Sequence, residues 1–120
     1  MILVIDDDEV IGRSVVRVLK KNGFVVAFSK NAIEAIAKVE EEVPEMVFLE
    51  IMLTGPDGFT FLNEMASYID TMDVPVVIVS ERDFSGVDLG DYGVVGFLDK
   101  NKMKPSDVMN YARKYARAEV

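Results

Sequence analysis

Strand-length apolar runs alternate along this chain with segments of helical spacing, five of each, and no other feature restricts the fold as strongly. Ile2 to Ile5 is a continuous apolar run that ends in Asp6, Asp7 and Asp8. Val10, Ile11, Val15, Val18 and Leu19 follow at the spacing of one helix face, and Gly23 is placed to stop that helix. Phe24 to Phe28, β-branched and aromatic, predicts a second strand; Ile33, Ile36, Ala37 and Val39 mark a second helix that runs out in Glu40, Glu41, Glu42 and Pro44. Met46 to Ile51 predicts a third strand, and Leu53 to Gly58 reads as a loop. Phe59, Leu62, Met65, Ala66 and Ile69 then predict a third helix. Val74 to Val79 and Val94 to Leu98 supply two more strands, separated by a stretch holding Gly86, Gly90 and Gly93, whose helix is expected to be short or frayed. A closing helix carries Val108, Met109, Ala112, Tyr115 and Ala116 and opens at Pro105.

Crossovers between parallel strands are right-handed almost without exception, so these units predict an α/β fold: a doubly wound five-stranded parallel sheet with helices on both faces. At 120 residues, half of them hydrophobic, the chain is expected to form one domain over 1–120. Its apolar runs fall far short of the roughly 20 residues that cross a bilayer. Its start has no basic, apolar, small-residue order of a signal peptide, so a cytoplasmic protein with no membrane contact is expected.

Doubly wound sheets bind ligands at the carboxyl ends of their strands. Those ends carry Asp6, Asp7 and Asp8, then Glu50, then Ser80, then Lys100. The chain has no cysteine and no histidine, so only carboxylates, amines and hydroxyls remain for chemistry, a set suited to Mg²⁺ and to phosphoryl groups. Clustered carboxylates repel by several kcal/mol per pair even at an effective dielectric of about 20, which implies a cation on Asp6, Asp7 and Glu50. Lys100 adds a fixed positive charge and Ser80 a hydroxyl. Asp8 and Glu9 also suit the start of a helix, Asp8 as its cap. With 13 basic against 21 acidic residues and a net charge of −8, no direct contact with nucleic acid is expected.

Four stretches, Ile2 to Glu9, Pro44 to Phe59, Pro75 to Ser80 and Gly96 to Lys100, together resemble the receiver domain of two-component response regulators in order and spacing. The resemblance implies strand order 2-1-3-4-5. It implies that Asp6 and Asp7 bind Mg²⁺ with the backbone carbonyl of Met52, that Ser80 senses a phosphoryl group, and that Lys100 is its ion-pair partner. Phe97 falls at the aromatic position that follows the hydroxyl in the family's switch. Glu50 stands where the family has its phosphoacceptor aspartate. The extra methylene moves the carboxylate into the space the phosphoryl group needs, so Glu50 is expected to block phosphorylation and to imitate the active state in part. Expected partners are a histidine kinase or an output domain or protein, and a second copy in a homodimer; no enzymatic activity is expected. Thr54 in place of the usual proline, Asn101 after the lysine and a shortened stretch between Ser80 and Lys100 depart from the family pattern. Two readings compete. One is an interaction module of receiver fold with a vestigial site. The other is a Mg²⁺-dependent phosphatase of haloacid-dehalogenase type using Asp6 and Asp8, which lacks a second acidic pair after Lys100 and room for a cap.

Overall fold

The run Ile2–Ile5 forms β1, buried on both faces, in a computed structural model that describes residues 1–119. The other strands are β2 (Val26–Ser29), β3 (Met46–Leu49), β4 (Val76–Ser80) and β5 (Val94–Asp99), and all neighbours pair in parallel in the order β2-β1-β3-β4-β5. The helices are α1 (Glu9–Lys21), α2 (Ala32–Glu41), α3 (Gly58–Ala66) and α4 (Pro105–Tyr115). Alternate strand residues face opposite ways. Ile2, Val4, Phe48, Val77 and Val79 join the core under α1 and α4, while Leu3, Ile5, Leu49, Phe61 and Ile78 join the core shared with α2 and α3. Each such side chain, fully buried, contributes about 1.5–3 kcal/mol relative to exposure.

Local chemistry starts and stops the helices. The Asp8 carboxylate accepts hydrogen bonds from the Val10 and Ile11 N–H groups at 3.1 and 3.2 Å, capping α1, and Gly23 leaves it with φ 88°. Asn31 and Asp57 cap α2 and α3 in the same way. Because the Asp8 carboxylate is committed to the cap, it is not offered to the strand-end cluster.

Several sequence expectations are corrected. The second strand begins at Val26 rather than Phe24, whose ring is buried in the core under α1 and α4. On α2 the buried residues are Ala32, Ala35 and Val39, whereas Ile33 is 66% exposed. The small alanines let the helix lie close to the sheet, and the isoleucine is turned outward. The third helix ends before Ile69, which is 91% exposed. The helix expected between the fourth and fifth strands does not form: only a 3₁₀ turn, Gly90–Tyr92, precedes β5. Each glycine costs a helix about 1 kcal/mol relative to alanine. The Asp83 and Asp88 carboxylates instead accept hydrogen bonds from the Ser85 and Gly90 N–H groups, which stabilises turns. Phe84 pins this segment by meeting Phe59 of α3 edge-on, with ring centroids 6.3 Å apart.

Candidate functional site

The sheet order places the ends of β1 and β3 side by side, and the turn after β5 returns over them. The N–H of Glu50 donates to the Ile5 carbonyl and that of Lys100 to the Ser80 carbonyl, each at 3.0 Å, so backbone bonds fix both side chains at the rim. There the Lys100 Nζ lies 2.8 Å from Asp6 Oδ2 and 3.0 Å from Glu50 Oε1. All three side chains are less than 8% exposed. Their remaining oxygens are also satisfied: Asp6 Oδ1 accepts from the Asp8 N–H at 2.9 Å, and Glu50 Oε2 accepts from the Met52 N–H at 3.1 Å. One ammonium thus bridges two buried carboxylates and offsets the cost of taking their charges out of water.

Burial pushes the Asp6 carboxyl above its ordinary value even though Lys100 pulls it down. For Lys100 burial works against the charge, but hydrogen bonds to Asp6 and Glu50 outweigh it and hold the ammonium above the ordinary lysine value. The cluster is therefore held by mutual compensation between Lys100 and the two carboxylates.

The other expected site residues are placed less centrally. Asp7 is exposed, and its Oδ2 accepts two hydrogen bonds from Thr54, from the N–H at 3.1 Å and from the hydroxyl at 2.8 Å. Ser80 is buried at the end of β4, and its oxygen accepts from the Arg82 N–H at 3.3 Å. Phe97 pairs with Ile78 in the sheet register and is half-buried against the α2–α3 core. The Met52 carbonyl takes no hydrogen bond among the described residues. The sequence marked Thr54 only as a departure from proline. Its contact with Asp7 joins residues 47 apart in sequence, and no local periodicity could reveal it.

Gly58 sets the shape of the loop that follows Glu50. Its N–H donates to the Ile51 carbonyl at 2.8 Å, and a Cβ there would stand 2.5 Å from the Ile51 Cα and 3.1 Å from the Glu50 carbonyl oxygen. Backbone cannot yield as a side chain does. Gly58→Ala is expected to lower stability by about 1–3 kcal/mol, the usual cost of overpacking, and to displace Glu50. Urea unfolding measures the first effect and the Lys100 side-chain NMR shifts the second.

Residues 2–113 match the family model described as the response regulator receiver domain. The chain belongs to that family. Among curated relatives it is 30% identical over 94 residues to the response regulator MprA of Mycobacterium ulcerans, a match covering 74% of this chain and 40% of the relative. The chain therefore spans less than half the length of the curated relatives it matches. Among solved structures, the receiver domain of NtrX from Brucella abortus shares 27% identity with a TM-score of 0.84, covering 96% of this chain and 97% of that one. A two-component response regulator from Clostridium difficile, 23% identical with a TM-score of 0.81 over 95% and 93% of the two chains, shares the fold.

Receiver domains generally bind Mg²⁺ at the phosphorylation site. Carboxylate oxygens and a free carbonyl suit a hard cation, so the donor types of Asp6, Asp7, Glu50 and Met52 fit it. Among the described residues, however, no three acidic side chains are gathered into a ligand set, because Asp7 is held on Thr54 and Lys100 already lies between Asp6 and Glu50. Metal binding must then compete with the Asp7–Thr54 bonds. Losing the hydroxyl bond in Thr54→Val removes a competitor worth about 0.5–1.5 kcal/mol, so Mg²⁺ affinity is expected to rise about two- to tenfold. Calorimetric titration of both proteins with Mg²⁺ measures the ratio.

Proposed function

We propose that this receiver domain signals by regulated protein–protein contact, with Glu50 in the position of the phosphoacceptor aspartate, so that it takes up no phosphoryl group and leans toward the active form. The observation that carries this reading is the buried contact between Glu50 Oε1 and Lys100 Nζ at 3.0 Å. In a phosphorylated receiver the lysine is paired with the phosphoryl group; here a carboxylate reaches it without one. Imitation is incomplete, since a carboxylate carries one negative charge and a phosphoryl group nearly two. The Ser80 oxygen is engaged with the Arg82 N–H, so the bias acts through Lys100. A charge-assisted hydrogen bond contributes about 1.5–3 kcal/mol, which shifts a two-state equilibrium about ten- to a hundredfold without locking it.

If Mg²⁺ binds, Asp6, Asp7, Glu50 and the Met52 carbonyl would hold it, and it would supply positive charge opposite an anionic ligand. Asp6 and Glu50 hold Lys100, and Thr54 orients Asp7. The partners of the reading are a histidine kinase and an output domain or protein, in the cytoplasm, with no catalytic role for this domain. Two observations bear on the alternatives. The Asp8 carboxylate is used as the α1 cap, which removes the acid that a haloacid-dehalogenase-type phosphatase requires. The Asp7–Thr54 bonds favour the second reading, an interaction module whose metal site has lapsed.

Glu50→Gln keeps the side-chain length and removes the charge, so it separates these readings. The Phe97 ring populations seen by NMR are expected to shift between the unaltered protein and Glu50→Gln. Identical populations would mean that Glu50 does not set the state, and the interaction-module reading would replace this one.

A further inference from the structure

Helices in this fold run back from the rim that carries Glu50, so the C-terminal ends of α2 and α3 lie at the opposite end of the sheet. Between them is an open groove of about 430 Å³, within the range of sites that take small apolar groups. Half-buried Ile36 forms its apolar floor, over the buried Val39 and Met65. Val43 and Tyr68, 40% and 56% exposed, stand at its sides, and Ile69 continues the exposed surface along the turn after α3. Exposed apolar surface of this kind, bordered by polar groups, marks a place where something docks.

Charge selects the occupant. Glu40, Glu41, Glu42, Glu64 and Asp70 surround the groove, and no lysine or arginine lines it. Glu41 reaches Lys38 at 3.7 Å and Glu42 the amino terminus at 4.0 Å, whereas Glu40, Glu64 and Asp70 form no salt bridge among the described residues. The three glutamates also sit at the negative end of the α2 dipole, where cations rather than anions are favoured, so they oppose the stability of their own helix. A symmetric dimer through this patch would set the carboxylates against one another.

We infer that the groove is a docking site for a cationic amphipathic segment of a partner protein, whose apolar side chains rest on Ile36, Val43 and Tyr68 while lysines or arginines reach the surrounding carboxylates. This surface is separate from the Asp6–Glu50–Lys100 site and does not depend on its reading.

The test titrates the whole ¹⁵N-labelled chain with a synthetic leucine–lysine amphipathic peptide at about 0.15 M salt, where long-range attraction between exposed charges is largely screened. Shift changes are expected to centre on Val43, Tyr68 and Ile69, and the matching leucine–glutamate peptide is expected not to bind. Tyr68→Ala should weaken binding about tenfold or more, as loss of an aromatic anchor does. Glu64→Gln with Asp70→Asn should weaken it, while Asp88→Asn with Asp91→Asn, which removes the same charge elsewhere, should leave it unchanged. Circular dichroism confirms that each variant is folded. Shift changes spread over every acidic face, or equal losses for the two charge-neutralised pairs, would overturn the proposal. So would a dimer by sedimentation that Tyr68→Ala dissolves, since the groove would then belong to a second copy.

Discussion

Lys100→Met is expected to destabilise the domain by about 3–5 kcal/mol, the range for removing one partner from a buried ion pair. The substitution keeps an apolar stem of similar length, so the loss reports the charge. Without the ammonium, Asp6 and Glu50 face each other with almost no access to water. The pH dependence follows from the two shifts. Lys100 titrates above its ordinary value of 10.5 in the folded protein, so its contribution is complete below that value and is lost as the pH rises through the higher folded one. Asp6 also titrates above its ordinary value of 3.8, so acidification favours the folded form in the window between the two values. Lys100 is also what lowers Asp6, so in Lys100→Met that carboxyl titrates higher still, and the difference from the unaltered protein should shrink as the pH falls. Urea unfolding of Lys100→Met, Glu50→Gln and the double variant completes a cycle. The double variant is expected to be more stable than Lys100→Met alone, because one buried carboxylate then remains instead of two. A loss below about 1 kcal/mol would show that water reaches the triad and that it behaves as a surface pair.

Glu50→Asp is expected to restore phosphoryl uptake, by about a hundredfold or more over the unaltered chain. Phosphoryl transfer depends on alignment far more than on covalent assistance from the protein, and a misplacement of about an ångström costs some hundredfold. Glu50 extends far enough to meet the Lys100 Nζ at 3.0 Å and so fills the space in front of the strand end. Aspartate withdraws the carboxylate by one methylene and opens that space, while Lys100 and Ser80 stay anchored by their strands. A time course of label incorporation from a small phosphodonor in Mg²⁺, run on both proteins, gives the ratio. Equal slow rates would show that the geometry beyond Glu50, such as the hold of Thr54 on Asp7, is limiting.

The strands and their rim were legible in the sequence because the signal is topological. Parallel strands share a polarity, so Asp6, Glu50, Ser80 and Lys100 had to arrive at one edge wherever the helices lay. The phase of the helices was harder. Alternating isoleucine and alanine along α2 gives two apolar faces, and only the closeness of the sheet selects Ala32, Ala35 and Val39 over Ile33. Glycine content did foretell a weak helix before the fifth strand, but not that the aspartates at 83 and 88 would hold the segment in turns. The cluster's composition could be read, yet its state could not. Whether a cation or Lys100 compensates Asp6 and Glu50 depends on distances of about an ångström, and Asp7 was diverted by a hydroxyl from a distant loop.

Intact mass of the unaltered chain after treatment with a small phosphodonor and Mg²⁺ tests the central claim most directly. The account predicts no added phosphoryl group under conditions in which Glu50→Asp gains one. A stable adduct on the unaltered chain, mapped to Glu50, would contradict it.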